Sequence, residues 1–82
     1  MLSVTNSNTS FTLNEREAID LELKLNVTSY GHLWRDKIGE VLFNYGTGNL
    51  SSDEILIVSD EEFSFLEMLL TKGSWHECRD LK

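Results

Sequence analysis

The chain has 82 residues and a formal net charge of −7, with 40% hydrophobic and 10% aromatic residues. That is enough apolar content for one small packed domain, with about 60% of the unfolded surface buried, and too much for a disordered chain. A single cysteine excludes an internal disulfide, and no apolar run approaches the roughly 20 residues that span a bilayer.

The charge is not spread evenly. No Lys or Arg occurs between Lys37 and Lys72, and that interval holds Glu40, Asp53, Glu54, Asp60, Glu61, Glu62 and Glu67. The other acids and bases cancel, so the whole excess belongs to residues 38–71. Such a field attracts basic partners and repels nucleic acid and anionic membranes. The N-terminus shows no basic segment followed by an apolar one, so the sequence predicts a soluble, cytoplasmic protein. The sequons at Asn8, Asn26 and Asn49 are chance products of an Asn- and Ser-rich chain on that reading.

Residues 1–10 are short-sided and polar after Met1 and Leu2, which predicts a flexible arm or a solvated edge strand. Phe11 to Leu13 reads as a short strand. Asn14 then offers a helix cap, Glu17 can reach back to it, and Leu13 can staple to Ala18. Together these predict a helix over about 14–25, in a compact domain of residues 11–73.

Ile19, Leu21, Leu23, Leu25 and Val27 alternate strictly with polar residues, the period of a half-buried strand. Leu, Glu and Lys favour helix here and β-branched residues are few. Helix is the preferred reading, and a β-hairpin over 10–28 packed with two helices is the alternative.

Trp34, Ile38, Val41, Leu42 and Tyr45 fall at helical spacing and predict a second helix over about 32–45. Gly39 inside it implies close approach by a neighbouring element, and Gly46 and Gly48 end it. GTGN at 46–49 lacks the Lys-Ser/Thr end of a P-loop and the third glycine of a dinucleotide fingerprint, so it is a loop.

Glu54–Val58 reads as a strand. Ser59 caps a third helix, Glu62 closes its capping box, and Asp60, Glu61 and Glu62 complement the dipole of its first turn. Lys72 and Gly73 close it, and residues 74–82 read as a C-terminal tail. Leu13–Leu25 laid on Val58–Leu70 matches residue type at seven positions, with four identities: Glu17/Glu62, Leu21/Leu66, Glu22/Glu67 and Leu25/Leu70. Duplication and convergence both produce such a match. The fold class expected is α+β: a helical hairpin, a strand or strand pair, and a third helix.

No constellation of reactive residues stands out. His76 and Cys78 have a metal-like spacing, but with His32 they make only three soft ligands, so no metal or other cofactor is expected. Cys78 as a nucleophile needs a base held in fixed geometry, which His76 on a tail does not supply. Among fourteen carboxylates, pairs near in sequence carry no weight. Glu22 and Glu67 flank the apolar stripes of their helices, and the plain expectation for both is a rim position reaching water.

The basic residues are few and unclustered, which excludes a nucleic-acid-binding face. By elimination, the sequence predicts a non-enzymatic protein that binds a basic protein stoichiometrically. Asp53, Glu54, Asp60, Glu61 and Glu62 would steer association, and Tyr30, Tyr45 and Trp75 would anchor it. In size and charge the chain resembles small acidic proteins encoded by bacteriophages, DNA mimics and anti-CRISPR proteins among them. The likeness is one of class and rests on no motif. It implies an inhibitor that mimics the charge of a nucleic-acid backbone.

Two other readings stand beside this one. A structural homo-oligomer or adaptor would use Phe65, Met68 and Leu69, because the apolar residues of the third helix span half its circumference. A small-molecule sponge would use pockets lined by Trp34, Tyr45 or Trp75.

Overall fold

The computed structural model describes residues 1–28, 34–49, 53–73 and 75–78. The chain folds as α+β, and the described residues form four α-helices and a three-stranded mixed sheet. The elements run β1 (Leu2–Thr5), β2 (Ser10–Leu13), α1 (Glu15–Val27), a π-helical turn (Arg35–Gly39), α2 (Glu40–Gly46), β3 (Glu54–Ile57), α3 (Asp60–Leu70) and α4 (Trp75–Cys78).

The N-terminal segment is neither an arm nor an edge. β1 is the middle strand of the order β2-β1-β3, and Leu2 and Val4 are fully buried. What looked like a polar leader is a strand and the turn that follows it. Asn6 Oδ1 accepts from the N–H groups of Asn8 (3.1 Å) and Thr9 (2.9 Å), and Ser7 adopts a φ of 85°. This side-chain-closed turn reverses the chain, so that β2 pairs antiparallel with β1, Leu2 opposite Leu13. The chain later returns on the other side, and β3 pairs parallel with β1, Leu2 opposite Glu54 and Thr5 opposite Ile57.

Strand alternation sends Leu2, Val4, Leu13, Leu56 and then Val58 into one core with Ala18, Leu21, Leu25, Ile38, Leu42, Tyr45, Phe63, Leu66 and Leu69. Phe11 on β2 meets Phe63 on α3 with ring centroids 5.2 Å apart. The helices therefore cover one face of the sheet. The other face carries exposed Ser10, Thr12, Ile55 and Ile57, with half-buried Ser3 and Thr5.

α1 is a helix throughout, so residues 15–27 form no part of a hairpin. Asn14 Oδ1 accepts from the Glu17 N–H and Glu17 Oε1 accepts from the Asn14 N–H, both at 2.8 Å, which closes the expected capping box. The period-two pattern has a physical explanation in the packing of α1, which contacts α2, α3 and α4. Ala18, Leu21 and Leu25 are fully buried, Leu23 is exposed, and Ile19 lies against the end of α2. A Cβ on Gly46 would overlap the Ile19 side chain and lie 3.1 Å from Glu15 O. A close approach of the kind expected at Gly39 is made at Gly46, while Gly39 is buried at the end of the π-helical turn.

Residues 75–78 are also not a solvated tail. They form the helical turn α4 against α1, and Cys78 is fully buried in the core. Among the described residues no helix is long and apolar enough to cross a membrane.

Candidate protein-binding surface

Of the acids in residues 38–71, Glu40, Asp53, Asp60, Glu61 and Glu67 are exposed, and Glu54 is half-buried. Asp53 precedes β3, with its side chain 98% accessible and the Met1 ammonium 3.5 Å from Oδ1. Asp60 and Glu61 follow β3 at the start of α3. β3 thus runs between exposed carboxylates at both ends.

Glu62 departs from the expected steering role. It is 6% exposed and closes the second capping box: its Oε1 accepts from the Ser59 N–H at 2.8 Å, and its own N–H donates to Ser59 Oγ at 3.1 Å. Lys37, from the π-helical turn, donates to both carboxylate oxygens at 3.1 and 3.4 Å. Burial opposes the charge on Glu62. The Ser59 N–H, the Lys37 ammonium and the Ser59 hydroxyl outweigh it, and the carboxyl is held below the usual glutamate range. This acid ties α3 to the turn before α2 and is not available to a partner.

The expected aromatic anchors fare differently from the acids. Tyr45 is only 6% exposed and belongs to the core, because α2 turns its Leu42–Tyr45 side inward. So little of its ring reaches solvent that it does not serve as an exposed interface anchor. Tyr30 lies outside the described residues, and so does the side chain of Trp75. Trp34 packs edge-on to Phe65 at 5.1 Å.

The apolar half of α3 is largely covered by its own chain. Leu69 and Leu66 are fully buried, and Phe65 and Met68 are half-buried against the core. Leu69 is therefore unavailable for self-association, and Phe65 and Met68 keep only part of their surface exposed.

The large apolar side chains that do reach solvent include two that the sequence reading passed over: Ile55 and Ile57, each 70% exposed. The signal was present. In the run EILIV, burial on one sheet face alone must expose alternate residues.

Of the candidate reactive groups, His32 lies outside the described residues. Burial pushes the Cys78 thiol up against the pull of Lys24 and Lys72, the opposite of what a nucleophile needs. Among the described residues no three His, Cys, Asp or Glu side chains converge as metal ligands. Glu67 reaches water as expected. Glu22 does not: it is 9% exposed and accepts from Asn26 Nδ2 at 2.6 Å. A shallow depression of about 460 Å³ is lined by Arg16, Glu17, Asp20, Lys24 and Leu70. Its buried Lys24 is already engaged by Asp20 Oδ2 and Lys72 O, both at 2.8 Å. None of the aromatics expected around a pocket lines it.

Compared with known proteins, the chain matches no family, no curated sequence and no solved structure.

Proposed function

We propose that the protein acts without catalysis, by binding a basic protein in a stoichiometric complex and occluding its basic surface. In that role it would serve as an inhibitor or a mimic of nucleic-acid charge. One observation supports the reading: Glu40, Asp60, Glu61 and Glu67 are exposed and make no ion pair among the described residues. Lys24 and Lys37, in contrast, are committed to Asp20 and Glu62. Among the described residues these four carboxylates are left without a neutralising cation, and such a field accelerates association and fixes orientation.

The test is capture of partners from the native host with wild-type protein and with the Asp60→Lys/Glu61→Lys variant, followed by binding kinetics on whatever is captured. Expected is a basic protein, saturating at a fixed ratio. Its association rate should fall steeply with added salt and drop about tenfold or more in the variant. Equal association rates for the two proteins, or turnover of any substrate, would overturn the proposal.

A further inference from the structure

β3 is an edge strand whose outer side is open among the described residues, since β1 is its sole neighbour in the order β2-β1-β3. Its backbone orientation follows from two hydrogen bonds. The Glu54 N–H donates to Met1 O at 3.3 Å and the Val58 N–H donates to Thr5 O at 2.9 Å. In a parallel ladder alternate residues turn their N–H and C=O groups to opposite sides. Residues 54, 56 and 58 therefore face β1, and Ile55 and Ile57 aim two donors and two acceptors outward. The same two residues carry the exposed isoleucine side chains, on the sheet face that no helix among the described residues covers.

Edge strands are commonly blunted by Lys, Pro or an inward-pointing charge. Neither Lys nor Pro occurs in EILI, and the one charge, Glu54, sits at the start of the strand. A short, apolar, unblunted edge is a template for strand addition.

What occupies it is constrained by charge. Asp53 stands at one end of β3, and Asp60 and Glu61 stand at the other. A second copy of this chain would bring carboxylates against carboxylates at both ends of the seam, whether the strands ran parallel or antiparallel. An occupant with cations at its ends would instead meet complementary charge at both.

We propose that β3 receives an extended segment of the basic partner as a fourth strand. The segment carries alternating apolar residues that flank Ile55 and Ile57, with Lys or Arg at each end. This inference rests on the reading of the chain as a binder of basic protein, and supplies its mode of attachment.

The probe is the peptide Lys-Lys-Val-Thr-Val-Thr-Lys-Lys, compared with the same peptide carrying Glu in place of Lys and with one carrying Pro in place of the second Val. Binding is followed by amide chemical shifts and hydrogen exchange of the intact protein. Expected is slowed exchange at the Ile55 and Ile57 amides with the first peptide alone. Affinity should fall about tenfold in Ile57→Pro, which removes one outward donor and leaves the ladder to β1 intact.

Because proline can also disturb the strand, Ile55→Thr/Ile57→Thr serves as a second variant. It keeps the backbone and should weaken binding severalfold by loss of apolar contact alone. Binding of the first peptide without protection at 55 and 57, or no binding, overturns the strand-addition inference and leaves the acidic-binder reading standing. Equal protection by the Glu peptide overturns the basic character of the occupant. Protection at 55 and 57 in the protein alone, together with a dimer in sedimentation, assigns the edge to a second copy and overturns the proposal.

Discussion

The chain contains two strand–cap–helix units that can be laid on one another. Ser10-Phe11-Thr12-Leu13 of β2 corresponds to Ile55-Leu56-Ile57-Val58 of the β3 segment, Asn14 to Ser59, Glu17 to Glu62, and Leu21 to Leu66. The inward positions behave alike: Leu13 and Val58 are 2% and 5% exposed, and Leu21 and Leu66 are fully buried. Both caps close as complete boxes. The outward positions do not correspond in character. β2 presents Ser and Thr to solvent where β3 presents two isoleucines. Core packing dictates the inside of each unit, since a single methylene is felt there. It leaves the outside free, so the outward positions are where the two units can differ without cost to the core.

The equivalence is tested hardest in the core. Leu21→Ala and Leu66→Ala each remove a fully buried side chain, and each should cost about 2–5 kcal/mol of unfolding free energy in urea titrations. In a domain this small that is a large share of the total. If one substitution cost well under 1 kcal/mol while the other unfolded the chain, the two units would not be structurally equivalent.

Gly46→Ala probes the end of α2 where it presses onto α1. The added methyl meets Ile19 and must displace it, at a cost of about 1–3 kcal/mol. Pairing it with Ile19→Val should recover part of the loss, a coupling readable in a double-mutant cycle.

The caps separate the units next. Asn14 and Glu17 are exposed, and Asn14→Ala should cost about 1 kcal/mol with little dependence on pH near neutrality. Ser59 caps with a buried partner, and Ser59→Ala should reach the upper end of the cap range, about 2 kcal/mol, because beside the cap bond it removes the hydroxyl that helps stabilise the buried Glu62 carboxylate. Lys37 is 59% accessible on its side chain, so its ion pair contributes less than its geometry suggests.

The folded chain holds Glu62 below the ordinary glutamate value of about 4.3, so the unfolded chain takes up the proton first as pH falls. The stabilisation is complete above that ordinary value and is lost as pH falls through the lower, folded one. Thermal melts between pH 7 and 3 should show this loss in wild type and a flatter profile in Glu62→Gln. Parallel profiles would place the acid sensitivity elsewhere.

Much of this frame was legible in the sequence, and the parts that were not share a cause. Both capping boxes are local, spaced three residues apart, and each was readable from its own side chains. The place of β1 was not, because two apolar residues, Leu2 and Val4, are too few to show a period, and the central position of the strand is created by β3 from fifty residues away. The burial of Cys78, Tyr45 and Leu69 likewise comes from packing between elements, which composition does not encode. Glu62 was read correctly as a cap and wrongly as a surface charge. The cap needs Ser59, three positions earlier, whereas the burial and the ion pair need Lys37, which only the fold brings near.

The smallest expected effect is the one that bears most on function. Ile55→Thr/Ile57→Thr makes the outward side of β3 resemble that of β2. Each isoleucine is 70% exposed, so little apolar area leaves the folded state, and the change in stability should stay within about 0.5 kcal/mol. Two exposed isoleucines on an open edge are an aggregation hazard that contributes almost nothing to the fold. β2 shows that Ser and Thr satisfy the same backbone, and the proposed strand addition gives the isoleucines a use that the fold does not. A loss of 2 kcal/mol or more in the double variant would mean that Ile55 and Ile57 are structural after all, and that the difference between the two edges reflects packing instead of recognition.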